Sequence, residues 1–188
     1  MTESLIESDE TTQAILAAAL EQFGHHGFQA TRLTAVAREA GVSRPTLYAR
    51  FESKTELLRA VVQGLNSDSL ERARQAAAKE DALEARLSRV VLAYYGDSHR
   101  ALHGLPHIAE LAQAHGPLVR EITDKSEASL RALLLTVLPE DCGALTSKRA
   151  LDLLVLSPAG LKAGGASPKV YQARLRGLAT AVAHAVES

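Results

Sequence analysis

The chain has 188 residues, 46% of them hydrophobic, with 21 basic and 22 acidic side chains and a formal net charge of −1; this is enough for a globular core, in one domain or in a small domain joined to a larger one. No run of about 18 uninterrupted apolar residues is present, the opening Met1-Thr2-Glu3-Ser4 is acidic where a signal peptide is basic, and the single cysteine, Cys142, cannot close an intrachain disulfide and is a poor metal site. A cytoplasmic protein without a membrane partner or cofactor is expected, and its balanced charge leaves nucleic acid open, because a DNA-binding face needs positive charge only locally.

Ala and Leu dominate, aromatic residues make up 4%, and Val or Ile nowhere alternate with polar residues over a strand's length, so the chain is predicted to be all-α. Gly and Pro punctuation divides it into about nine helices. Thr2 to Glu10 is polar and acidic and reads as a disordered tail of about nine residues. Ile15, Leu16, Ala19, Leu20 and Phe23 form the buried stripe of a first helix ending near Gly27. Leu33, Val36, Ala37 and Ala40 form a short second helix, with Thr31 available as its cap and Gly41 beyond its end. Ser43 then caps a third, Arg44 to Arg50, whose Pro45 sits in the first turn, where a missing N–H costs nothing. Ser53-Lys54-Thr55-Glu56 is a capping box opening a long fourth helix, with Leu57, Leu58, Val61, Val62 and Leu65 on its apolar stripe. Further helices are predicted around Leu83 to Tyr94, Pro106 to His115, Pro117 to Leu138, Ser147 to Lys162 and Pro168 to Glu187. The domain boundary is placed at residues 60/61, leaving 1–60 as a small DNA-binding domain and 61–188 as a larger helical one.

Two short helices joined by Gly41-Val42-Ser43 have the form of a helix-turn-helix. Leu47 is the inward residue of the second, which puts Arg44, Pro45, Thr46, Tyr48 and Arg50 largely outside. In a DNA-binding reading, Arg44 makes bidentate bonds to guanine O6 and N7, Pro45 and Thr46 touch thymine methyls, and Tyr48 donates to phosphate. The plainer alternative is a solvated charged face. Charge favours DNA: Arg32, Arg38, Arg44, Arg50, Lys54 and Arg59 face only Glu39, Glu52 and Glu56 over the same stretch, and Lys54 lies at a helix N-terminus, where a phosphate is already favoured.

Ile15 to Leu20 through Phe23, Gly27-Phe28, Ala30-Thr31, Val36-Ala37, Ala40-Gly41-Val42-Ser43, Thr46-Leu47-Tyr48, Phe51, Ser53-Lys54 and Leu57-Leu58 resemble the TetR family of bacterial regulators over roughly residues 11 to 62. The resemblance implies a three-helix DNA-binding domain with Arg44 to Arg50 as recognition helix and Ser43 at its start. It also implies Tyr48 and Lys54 on phosphates, and Arg32 or Thr34 reaching the backbone or a base edge. Thr34 stands where an arginine is frequent in the family, and Arg44-Pro45 where a lysine and glycine are frequent, so the operator sequence does not follow from the resemblance.

Beyond residue 65 the resemblance fades. Leu154 and Leu161 on one helix, and Leu175, Leu178 and Val182 on the last, are expected to meet a partner copy in a four-helix interface; packing into the chain's own core is the alternative. Tyr94, Tyr95, His99, His103 and His107 are expected to line a pocket for a small apolar or aromatic ligand. His99, His103 and His107 are spaced by four, but Gly104 and Pro106 interrupt the helix, so no metal site is assigned. Together these features point to a ligand-responsive regulator, most simply a repressor, that binds a palindromic operator as a homodimer. The alternatives are an activator or an all-helical enzyme with its site in the C-terminal cavity; none of GxGxxG, GxxxxGK, HExxH or GxSxG occurs to support an enzyme.

Overall fold

The computed structural model describes residues 2–140, 143–162 and 164–188, with side chains described from Glu10 onward except at the gaps, so Cys142 lies outside the described residues. The helices are α1 (Thr2–Ala30), α2 (Leu33–Glu39), α3 (Arg44–Tyr48), α4 (Lys54–Ala77), α5 (Leu83–Val91), α6 (Asp97–Leu102), α7 (Ile108–Ala114), α8 (Gly116–Leu135), α9 (Ser147–Leu161) and α10 (Pro168–Glu187). A π-helical turn, Leu92–Gly96, joins α5 to α6 without a break, so the described residues form nine rods and no strand. The polar segment expected as a tail continues the backbone of α1 back to Thr2.

The chain divides into two compact units. The first comprises residues 1–65 and 104–122, the second 66–103 and 123–188. Two features depart from a single boundary at residue 60. The helix α4 runs unbroken through that position, capped by Ser53: Glu56 N–H donates to Ser53 Oγ at 3.1 Å, and the Glu56 carboxylate accepts from the N–H of Glu52, one residue before the cap, at 2.7 Å. The chain also visits the first unit twice, because α7 buries Leu111 in the core that holds Ile15, Phe23, Val36, Leu47, Phe51 and Leu58.

The return visit is tied to α1 at Gly24. His107 N–H donates to Gly24 O at 3.0 Å, and Leu105 covers the glycine so closely that a Cβ there would lie 2.7 Å from Leu105 Cδ1 and 3.0 Å from its Cβ. Three residues on, Gly27 bends the end of α1 at φ 78°, ψ 161°, a region that residues with a Cβ scarcely enter. Thr31 does not cap α2. Its hydroxyl turns back to Gly27 O at 2.7 Å, and the residue before α2, Arg32, supplies no side-chain cap.

The second unit packs α5 and α9 against α10 around Leu87, Val90, Val91, Leu130, Leu134, Leu154, Tyr171 and Leu175. Each such side chain removed from water stabilises the unit by about 1.5–3 kcal/mol before the entropy of ordering it is subtracted.

The contact at Gly24 gives a direct test of the first unit. Gly24→Ala is expected to lower stability by roughly 1–3 kcal/mol through overpacking, read from the urea midpoint. Adding Leu105→Ala should recover part of the loss, and strict additivity of the two would mean that the pair do not share the space.

Candidate DNA interface

The turn between α2 and α3 is built by the residues that predict it. Gly41 takes φ 68°, and two hydrogen bonds close the end of α2: Val42 N–H to Ala37 O at 2.9 Å and Gly41 N–H to Arg38 O at 3.2 Å. This is a Schellman closure, and it satisfies carbonyls that would otherwise have no partner. Ser43 then caps α3, its Oγ accepting from Thr46 N–H at 3.2 Å and lying 2.7 Å from Thr46 Oγ1. Leu47 is fully buried and anchors α3 to the core, while Arg44, Pro45 and Tyr48 are exposed and Thr46 is half-buried. Tyr48 is 48% exposed, a large aromatic ring held out on the surface of a five-residue helix.

The charged side chains around this helix fall into two groups. Arg50 Nε donates to Thr12 Oγ1 at 3.3 Å, Arg59 pairs with Glu121 at 3.6 Å, and His25 pairs with Glu21 at 3.2 Å. Lys54 turns inward: its Nζ donates to Gln29 O and Thr31 O, both at 3.1 Å, and stands 4.6 Å above the Phe28 ring. Phe28 in turn packs edge-on to His115 at 4.2 Å between ring centroids. Lys54 therefore ties the end of α1 to the start of α4, a role that the spacing of the sequence does not disclose. Arg32, Arg38 and Arg44 form the second group: all three are exposed and none has an ion pair with a described carboxylate. Arg32 and Thr34 flank the start of α2, Arg32 exposed and Thr34 half-buried.

Of the five side chains expected to line a ligand pocket, Tyr94, Tyr95, His99 and His103 lie in the second unit and His107 in the first. Tyr94 and Tyr95 are buried in the second unit, with Tyr94 OH donating to Ser126 Oγ at 2.7 Å and Tyr95 OH to Val155 O at 3.3 Å. Burial pushes both phenols, and that of Tyr171, above their ordinary range, so they remain neutral donors. His99 shares a hydrogen bond with Ala166 O at 3.0 Å and packs edge-on to Tyr171, and His103 is exposed beside it. His107 belongs to the first unit, where it pairs with Glu110 at 2.9 Å. Glu127, which no sequence pattern singles out, stands near this group with its carboxyl raised by desolvation and by Asp124.

The residues expected at a partner interface are corrected by their burial. Leu154, Leu175 and Val182 are enclosed by the second unit's own core, and Leu161 and Leu178 are half-buried against it. Exposed apolar side chains on the same helices are instead Leu153 and Leu156 of α9 and Val170 of α10, with Leu156 62% exposed. A stripe drawn on one helix cannot say which of its two shoulders faces home.

Residues 15–61 match the family model described as bacterial regulatory proteins, tetR family. Over that segment the chain is similar to the TetR family. The match lies in the first unit, from Ile15 in the core of α1 to Val61 in α4, and so contains the whole helix-turn-helix. Over 56 residues the chain is 45% identical to the HTH-type transcriptional regulator SrpR of Pseudomonas putida, an alignment covering 30% of this chain and 26% of that protein. It is 37% identical over 87 residues to the HTH-type transcriptional activator FasR of Mycolicibacterium smegmatis, covering 46% and 40%. The chain thus spans less than half the length of these TetR-type relatives. Among solved structures, the fatty acid degradation regulator FadR of Bacillus halodurans superposes with a TM-score of 0.64 at 17% identity, over 90% of this chain and 94% of that one. Salmonella enterica GusR gives 0.66 at 22%, over 93% and 95%. At these identities the likeness is one of fold alone, an N-terminal helix-turn-helix unit followed by a larger helical unit.

The inward-turned lysine has a measurable consequence. Lys54→Ala is expected to cost on the order of 1–2 kcal/mol, since it removes two charge-assisted hydrogen bonds and a cation–π interaction. An exposed lysine without such partners usually changes stability by no more than about 0.5 kcal/mol, and a urea midpoint within that range would contradict the clamp.

Proposed function

We propose that the chain is a transcriptional regulator that binds a palindromic DNA operator as a homodimer and responds to a small molecule in its second unit. The observation that carries the reading is α3. A Schellman turn and a serine cap fix a short helix whose buried residue is Leu47 and whose outer face is Arg44, Pro45, Thr46 and Tyr48. Such a face suits a major groove, with arginine for phosphates or guanine, Pro45 and Thr46 for thymine methyls and Tyr48 for a phosphate. Ser43, Arg32 and Thr34 border it, and Arg50 and Lys54 support it from behind. The site of action would be the cytoplasm, where the operator is.

Repression by occupancy is the simplest mode, because it asks of the protein only that it bind DNA near a promoter and release it when a ligand favours another geometry. Activation is the second reading, favoured by the likeness to FasR, which is named an activator. Tyr94, Tyr95 and His99 are the side chains we propose to meet an apolar or aromatic ligand. Because residues 104–122 belong to the first unit while the chain on either side of them belongs to the second, strain in the second unit has a covalent route to the DNA-reading helices.

Purified protein is to be offered a random pool of duplexes at two salt concentrations. Enrichment of a palindrome is expected, with affinity falling as salt rises. Tyr48→Ala should lose that affinity by tenfold or more while its melting curve is unchanged, an order of magnitude set by about 1.4 kcal/mol. Operator affinity indifferent to Tyr48 would remove α3 from the interface.

For the dimer, the supporting features are Leu153 and Leu156 on α9 and Val170, Ala173, Gly177 and Ala181 on α10, all exposed. A Cβ built at Gly160 or Gly177 meets no atom within 4 Å, leaving room for a partner helix to approach closely. A two-fold interface uses one patch twice, so a single charge introduced there is buried twice. Leu156→Asp is expected to sediment as a monomer, and a dimer unchanged in mass would place the interface elsewhere.

A further inference from the structure

The helix-turn-helix carries a concavity of about 320 Å³ lined by Thr34, Ala35, Ala37, Arg38, Val42 and Arg44. It lies where the end of α2 meets the start of α3, entirely within the first unit. Its uncharged lining is Thr34, two alanines and Val42, and its two charged residues are both arginines. No carboxylate lines it. The acid nearest in sequence, Glu39, is engaged with α1, where it accepts from Gln22 Nε2 at 2.6 Å, and Glu56 is engaged in the cap of α4. Arg38 and Arg44 are exposed and neither forms a hydrogen bond or ion pair with a described residue. Two exposed guanidiniums lining one small notch that no carboxylate lines, with Glu39 and Glu56 hydrogen-bonded elsewhere, attract a compact oxyanion that several N–H groups can grasp.

We propose that Arg38 and Arg44 together grip one backbone phosphodiester of DNA in this notch. Arg44 then positions α3 and does not read guanine, and Arg38 is a DNA-contacting residue in its own right. Base reading passes to Pro45 and Thr46. The Thr46 hydroxyl is already tied to Ser43 Oγ at 2.7 Å, which leaves its methyl for contact with thymine. This inference rests on the DNA-binding reading above and specifies how the same face divides its work.

The two roles of an arginine leave different signatures. Removing an arginine that reads a base relaxes discrimination at that position, whereas removing one that holds a phosphate weakens binding to all duplexes alike and lowers the salt slope by about one unit. Fluorescence anisotropy of the full chain is to be measured over a range of salt. The probes are two labelled duplexes, the palindrome enriched from the random pool and a scramble of equal length and composition; if no palindrome is enriched, two unrelated duplexes serve. The variants are Arg38→Gln, Arg44→Gln and the double substitution, with Arg38→Lys and Arg44→Lys as charge-retaining counterparts.

Each glutamine variant is expected to weaken both duplexes by the same factor. The double variant should lose less than the product of the single losses, because the two side chains share one phosphate, and its salt slope should fall by about one unit per protomer. The lysine variants should keep the slope and lose part of the affinity. Melting curves equal to the wild type are expected, since both side chains are exposed, and a variant that melts lower is read through its lysine counterpart. Loss of discrimination between the duplexes at an unchanged slope would overturn the proposal in favour of a base contact. Strictly multiplicative losses would overturn the shared phosphate. A wild type that binds duplexes while the variants match it overturns this inference alone, and a wild type that binds no duplex even at low salt overturns it together with the DNA-binding reading.

Discussion

The end of α1 is where the first unit is held together. Three carbonyls there, those of Gly27, Gln29 and Thr31, receive side-chain donors where Gly27 bends the helix at φ 78°. Thr31 Oγ1 takes the first and Lys54 Nζ the other two. The ammonium also stands over Phe28, so the charge that satisfies the carbonyls rests on an aromatic face in place of water. Each of these contacts fixes an orientation. Thr31 leads directly into α2, Lys54 opens α4, and Phe28 packs on both Phe23 of the core and His115 beyond α7. The position of α3 follows, because Leu47 and Phe51 dock into a core whose walls are α1 and α4.

That joint explains which parts of the molecule are legible from sequence. Helices α2 and α3 can be placed from sequence because their signals are local: a glycine at the left-handed position of the turn, a serine one turn ahead of a threonine, and a leucine among polar neighbours. Local rules need no knowledge of the rest of the chain. Lys54 has the same local signal as a phosphate ligand, a cation at a helix start, yet its partners come from 23 and 25 residues earlier in the chain. Thr31 similarly fits a cap by spacing, yet its hydroxyl turns back to the Gly27 carbonyl, which also accepts the Thr31 N–H. The return of residues 104–122 to the first unit has no sequence signal beyond Leu105 and Leu111, two leucines in a leucine-rich chain.

The second unit shows the complementary difficulty. In α9 and α10 apolar residues occupy more than one face, so periodicity identifies helices without saying which face is inward. Leu154, Leu175 and Val182 are the residues a stripe selects, and they are inward because α5 and α8 supply partners for them. What remains outside is Leu153, Leu156 and Val170 with the small residues Ala173, Gly177 and Ala181, and these form no stripe of large side chains. A face made of two leucines and a run of small residues has a faint sequence signature against a background rich in alanine. The tyrosines illustrate the same limit. Tyr94, Tyr95 and Tyr171 are conspicuous as polar groups among aliphatics, and burial does gather them, whereas His107, close after His103 in sequence, is delivered to the other unit by the intervening Gly104 and Pro106.

Charge is arranged by the same competition for partners. With a net charge of −1 the chain has no overall attraction for DNA, and a basic face exists only if nearby acids are occupied. In the first unit four are: Glu21 holds His25, Glu39 holds Gln22, Glu56 caps α4 and Glu121 holds Arg59. Most of these contacts are exposed and individually worth little to stability. Each carboxylate is paired with or hydrogen-bonded to a group other than Arg32, Arg38 and Arg44, which have no ion pair with a described carboxylate. On the DNA-binding reading, a duplex approaching that unit meets the potential of three unpaired guanidiniums, and the counterions it would release are the source of affinity that the protein's own balance of charge does not supply.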